Sequence, residues 1–113
     1  MNWIPLESLE LLQKIKNEPG CCLIFKHSTR CSISLMAKRK FELDWDSIPE
    51  NTPLYFLNLL NYRDISSAIA DMFQVHHQSP QLLLIKKGEC IYEVSHGEIS
   101  AEEAAELILS TAD

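Results

Sequence analysis

Leu6, Leu9, Leu12 and Ile15 recur every three residues, with Glu7, Glu10, Gln13, Lys14 and Lys16 between them. That spacing predicts an amphipathic helix, and Pro19-Gly20 stops it. The run Cys21-Cys22-Leu23-Ile24-Phe25 is apolar without alternation, which predicts a strand buried on both faces and reaching to His27. Ser28 and Thr29 are placed to cap a second helix, whose inner face would be Ile33, Met36, Ala37 and Phe41. Residues 49–53, between two prolines, form a loop. Leu54-Tyr55-Phe56-Leu57-Asn58-Leu59-Leu60 predicts another central strand, and Asp64 caps a helix carrying Ile65, Ala68, Ile69 and Met72. Residues 81–85 and 91–94 flank the turn Lys87-Gly88 as an antiparallel hairpin. Ser100-Ala101-Glu102-Glu103 is a capping box, opening a last helix with Ala104, Leu107 and Ile108 inward.

Alternating helices and strands followed by a terminal hairpin predict an α/β fold: a central mixed sheet with helices on both faces. Trp3-Ile4 could add an edge strand. This is the order of elements of a thioredoxin-like fold, and with neither a linker nor a repeat the 113 residues read as one domain, 1–113. A net charge of −6 argues against a general nucleic-acid binder. No basic segment followed by an apolar run suggests a signal peptide, and no apolar stretch is long enough for a bilayer. The expectation is a soluble cytoplasmic protein without nucleic-acid or membrane partners. Its four cysteines, Cys21, Cys22, Cys31 and Cys90, form no CxxC pair and no zinc-ligand spacing, so no metal site is expected and four free thiols are.

One thiol differs from the rest. Cys31 falls where a strand hands over to a helix, so unpaired N–H groups and the positive dipole end face it. No acidic residue lies between Glu18 and Glu42, whereas Lys26, Arg30, Lys38, Arg39 and Lys40 do. Arg30 adjoins Cys31, and Ser34, one turn on, could donate a hydrogen bond to the sulfur. These features predict a nucleophilic thiolate at Cys31, with Lys26 among the groups that meet its substrate. Cys21 and Cys22 sit in an apolar strand, where thiols are inert, and Cys90 is the remaining candidate for a resolving thiol. Pro80 stands before a central strand, an awkward place for a residue without an N–H. A cis Ser79–Pro80 bond there would offer the Ser79 backbone to an extended substrate. His77 could protonate a leaving thiol. His27, His76 and His96 form no metal motif.

Taken together, Phe25-Lys26-His27-Ser28, Cys31 with Ile33-Ser34, Arg63-Asp64-Ile65-Ser66, Val75-His76-His77-Gln78-Ser79-Pro80-Gln81 and Ser95-His96 closely resemble the YtxJ-type monothiol bacilliredoxins over nearly the whole chain. The resemblance implies a thioredoxin fold and one redox cysteine in a Thr-Cys-Pro-Ile-Ser motif. The implied activity is removal of bacillithiol from mixed disulfides, with S-thiolated client proteins as partners, a low-molecular-weight thiol as co-substrate and no bound cofactor. Cys31 would be the nucleophile, Ser34 would stand where a dithiol enzyme keeps its resolving cysteine, and Pro80 would be the cis-proline. Arg30 and Ser32 replace the motif's threonine and proline, which bears on substrate preference. The alternatives are an arsenate-reductase-like enzyme and a non-catalytic thioredoxin-like interaction or redox-sensing module.

Overall fold

The computed structural model describes residues 2–111. Along them run β1 (Ile4–Pro5), α1 (Leu9–Asn17), β2 (Cys21–His27), α2 (Ser32–Asp44), β3 (Leu54–Asn58), α3 (Arg63–Phe73), β4 (Gln81–Lys86), β5 (Glu89–Ser95) and α4 (Ala101–Ser110). Short 3₁₀ turns follow α2 and β5. The strands form one mixed sheet in the order β1-β3-β2-β4-β5. The central strand β2 runs parallel to β3 and antiparallel to β4, while β1 and β5 close the edges. This is the expected α/β arrangement.

Burial explains why β2 lacks polar alternation. Every residue from Cys22 to His27 is buried because helices cover both faces. Leu12, Ile15, Ile65, Ile69 and Phe73 of α1 and α3 pack against Cys22, Ile24, Leu57, Leu83 and Ile85. On the other face Ala37, Phe41, Ala104 and Ile108 of α2 and α4 meet Leu23, Phe25, Leu54, Leu82 and Leu84. Trp3 joins this second core, with its ring centroid 5.4 Å from Phe41 and Phe56 and 5.6 Å from Phe25. Its indole N–H donates to Glu42 Oε2 at 2.7 Å, which ties the amino-terminal edge to α2.

The helix faces depart from expectation at several positions. α2 turns Ser34, Ala37 and Phe41 inward, whereas Ile33 and Met36 are 53% and 70% exposed. The stripe is offset because Ser34, though polar, finds buried partners and so occupies an inward position. Cys31, not Ser28 or Thr29, is the α2 N-cap, and Tyr62, not Asp64, is that of α3. α3 buries Ile65, Ser66, Ile69 and Phe73, with Ala68 and Met72 only partly covered. Leu9 is exposed at the start of α1, and β3 ends at Asn58. In α4, Ala104 and Ile108 are buried, as are Ala101 and Ala105, while Leu107 is partly covered. The hairpin forms as expected, turning at Lys87 and Gly88 with φ of 52° and 76°. A Cβ on Gly88 would meet the Lys16 carbonyl oxygen at 2.1 Å, so only glycine fits where the turn abuts α1.

Phe41 is fully buried and touches both Trp3 and Phe25. Phe41→Ala should cost about 3–5 kcal/mol, read as a lower urea midpoint with an unchanged slope. A loss below about 1 kcal/mol would show that this aromatic cluster does not hold α2 on the sheet.

Candidate active site

β2 ends at His27, and the chain turns through residues 28–30 before α2 begins. The Cys31 N–H donates to Ser28 O at 3.2 Å, and the Cys31 carbonyl accepts from Leu35 N at 3.1 Å as the first bond of the helix. Cys31 is partly exposed in an extended conformation, φ −106° and ψ 119°, and its side chain makes no capping bond. The thiol therefore stands at the start of a helix with one side open to solvent.

Ser34 does not serve the sulfur. It is fully buried, its hydroxyl donates to His27 Nδ1 at 2.6 Å, and its oxygen accepts from Ser28 N at 3.1 Å. One serine thus joins the end of β2, the turn and the first turn of α2. His27 has its ring 5.2 Å from Phe56 and is held below the usual histidine value, first by burial and then by Lys38. It is neutral near pH 7, as an Nδ1 acceptor requires. The sequence offered one signal for this pair: alternation along β2 puts His27 on the Phe25 side, facing α2.

The expected basic neighbourhood is smaller than the sequence suggested. Lys26 is fully buried on the opposite side of β2, its Nζ donates to His77 Nδ1 at 2.7 Å, and burial pulls its pKa down to about 8. Lys38 bonds Glu42 at 2.9 Å and Lys40 reaches the Gly97 carbonyl at 3.4 Å. Arg30 is exposed beside Cys31 in the chain.

Ser79–Pro80 is cis, as expected. Pro80 is buried, and its carbonyl accepts from His96 N at 3.1 Å. Gln81, the first residue of β4, lies opposite Lys26 and fixes this loop with its side-chain amide, which donates to His76 O and Glu93 Oε2. The proline, the Lys26–His77 pair and the His27–Ser34 pair therefore share one end of the sheet. His77 Nδ1 also lies 3.3 Å from Ser66 Oγ. Burial and Lys26 lower its pKa, and with Nδ1 accepting from Lys26 the neutral ring carries its proton on Nε2. Ser79 Oγ is buried with no hydrogen-bond partner.

The other thiols lie at the far end. Cys21 and Cys22 begin β2, which puts about 15–20 Å of strand between them and His27. Cys90, the second residue of β5, pairs with Ile85 of β4, which on its other side pairs with Cys22 of β2. Two strand spacings, about 10 Å, separate Cys22 from Cys90, beyond the roughly 7 Å limit for a disulfide. Burial pushes the Cys22 thiol up to about 12 and raises Cys90 as well. A cavity of about 650 Å³ bordered by Glu18, Cys21, Tyr55 and Leu109 also belongs to that far end.

Ser34→Ala would leave both His27 Nδ1 and the Ser28 N–H without partners, at a cost of about 1–3 kcal/mol. Because folding lowers the His27 pKa, its contribution is complete above the ordinary value of 6.5 and is lost as the pH falls through the lowered one. Chemical denaturation of wild type and His27→Gln between pH 7 and 5 should show the steeper loss in wild type. Parallel curves would mean that His27 is not held neutral.

Residues 4–104 match the family of the monothiol bacilliredoxin BrxC. Among solved structures, the chain is similar to a protein described as a candidate oxidoreductase with a thioredoxin fold, at TM-score 0.80 and 29% identity over 92% of this chain and 91% of that one. A thioredoxin mutant from Halobacterium salinarum NRC-1 matches at TM-score 0.71 and 16% identity over 98% and 91% of the two chains. Fasciola hepatica thioredoxin matches at 0.71 and 15% over 96% and 98%. At such identities the two thioredoxins show the fold alone. Among the described residues no helix is long and apolar enough to cross a membrane. The family match takes in the whole sheet and every helix that shapes the Cys31 end of it: this redox protein belongs to the monothiol bacilliredoxin family.

Proposed function

We propose that the protein removes bacillithiol, or a similar low-molecular-weight thiol, from S-thiolated client proteins, with Cys31 as the sole carrier. The observation that carries this reading is the placement of the thiols. Cys31 stands at the cis-proline end of the sheet, and Cys21, Cys22 and Cys90 stand at the other.

The Cys31 thiolate attacks the small thiol's sulfur in the mixed disulfide. The old S–S bond breaks, a Cys31–small-thiol disulfide forms, and the client sulfur leaves as thiolate and takes a proton. That proton comes from solvent, while neutral His77, with its N–H on the outer nitrogen and its residue exposed, is suited to donate a hydrogen bond to the leaving sulfur. Ser34 is a hydroxyl already committed to His27, so it cannot resolve the adduct. A second small thiol attacks the adduct, leaves as the symmetric small-molecule disulfide and restores Cys31. No step changes the total number of disulfides, and reduction of the small disulfide lies with another catalyst. Ile33, Leu35 and Met36 are exposed on α2 just after Cys31, a surface suited to a protein-sized substrate.

Treatment with a bacillithiol mixed disulfide should add one bacillithiol mass to the intact chain, mapping to Cys31, and Cys31→Ser should gain nothing. A loss of two hydrogens with an internal bridge would defeat the carrier reading. Burial holds the Cys22 thiol protonated at pH 8. Iodoacetamide should therefore modify Cys31 while Cys22 stays unmodified in the folded protein, and equal labelling would contradict the assignment.

A further inference from the structure

The turn before Cys31 borders a cleft that the exchange chemistry does not itself require. Thr29, Arg30, Asn58, Leu60, Asn61 and Arg63 line a space of about 260 Å³ where the end of β3 and the start of α3 face the turn ahead of α2. Two guanidinium groups border it and no carboxylate does. Among the described residues neither arginine has an ion-pair or hydrogen-bond partner, although the protein as a whole is acidic. Asn58 and Asn61 add amide-bearing residues to the same lining.

We propose that this cleft holds a carboxylate of the small thiol while its sulfur is joined to Cys31, with Arg30 and Arg63 pairing the carboxylate. Arginine is suited to this role because its planar fork binds carboxylates in a bidentate manner. Arg30 is the immediate chain neighbour of Cys31, so the cleft borders the turn that carries the thiol. The cleft is also small, enough for the acid-bearing part of a low-molecular-weight thiol and too small for a segment of folded protein. The substrate's two halves are thereby divided: the anionic small thiol lies over the Arg30–Arg63 cleft and the client protein lies elsewhere. This selects mixed disulfides of acidic thiols over those of neutral or cationic ones. The assignment rests on the exchange reading for its meaning, but the cleft itself can be tested without any exchange.

The probe is 3-(methylthio)propionate, a carboxylate thioether that cannot react with Cys31, with 2-(methylthio)ethanol as the neutral control and inorganic phosphate as a second anion. Amide chemical shifts of the ¹⁵N-labelled protein should move at residues 29–30, 58, 60–61 and 63 with the carboxylate and not with the alcohol. The movement should be lost in Arg30→Gln/Arg63→Gln. Absence of shifts there, equal shifts with the alcohol, or shifts unchanged in the double variant would overturn the proposal. Phosphate acting at a lower concentration than the carboxylate would overturn the carboxylate assignment. A kinetic arm uses 3,3′-dithiodipropionate against 2-hydroxyethyl disulfide. The ratio of their rates with Cys31 should fall about tenfold from wild type to Arg63→Gln, and an unchanged ratio contradicts the cleft's role. Failure of Cys31 to react with either disulfide would instead defeat the exchange reading, leaving the shift experiment to judge the cleft.

Discussion

One buried hydroxyl fixes the geometry of the Cys31 end of this protein. A strand must hand its chain to a helix within four residues, and the thiol must emerge at that junction with an open side. Ser34 Oγ satisfies the constraint by donating to His27 on β2 and accepting from Ser28 in the turn. Because His27 and Ser34 are both buried, neither bond exchanges readily with water, and each is worth more than its surface equivalent. That clamp holds the start of α2, and Cys31 stands as its extended N-cap three residues ahead of Ser34, partly exposed. Ser34 thus has a structural use at this junction, beside being a hydroxyl that cannot form a disulfide.

The layers below carry that junction. His27 packs on Phe56, Phe56 lies against Phe25 and Trp3, and Trp3 holds Glu42 on α2 through its indole N–H. Lys38 closes the loop, bonding Glu42 while lying 5.7 Å from the Phe56 ring centre. The same lysine helps keep His27 neutral. On the other face of β2 the buried Lys26 reaches His77, so a single strand positions both sides of the site with two successive residues pointing in opposite directions. The cis-proline loop is fixed from the side by Gln81.

The order of elements was legible because it rests on features local in sequence: the unbroken apolar run of β2, the Lys87-Gly88 turn, the capping box at Ser100. Cys31 and Pro80 were legible because helix-start chemistry and proline geometry are local as well. The α2 face was misread at Ile33 and Met36 because hydrophobic periodicity treats serine as a surface residue, and only a histidine seven residues earlier makes Ser34 a core residue. The charge cluster was over-read for a related reason. Sequence proximity places Lys26, Lys38 and Lys40 near Cys31, whereas strand alternation turns Lys26 to His77, Glu42 engages Lys38 and the Gly97 carbonyl engages Lys40. Asn58 and Arg63 reach the site only through the parallel pairing of β3 with β2, a contact about thirty residues apart that no local pattern encodes.

The proposed exchange needs one thiol, Cys31. A variant keeping Cys31 alone, with Cys21→Ala, Cys22→Ala and Cys90→Ala, tests it most directly once circular dichroism shows it folded. Its rate of removing bacillithiol from a thiolated client protein should lie within about twofold of wild type, since the removed thiols stand at the far end of the sheet and two of them are held protonated by burial. Retention of that rate supports the single-carrier mechanism. Loss of turnover in this folded variant, with Cys31 still accepting the first bacillithiol, would mean that one of the distant cysteines resolves the adduct and would contradict it.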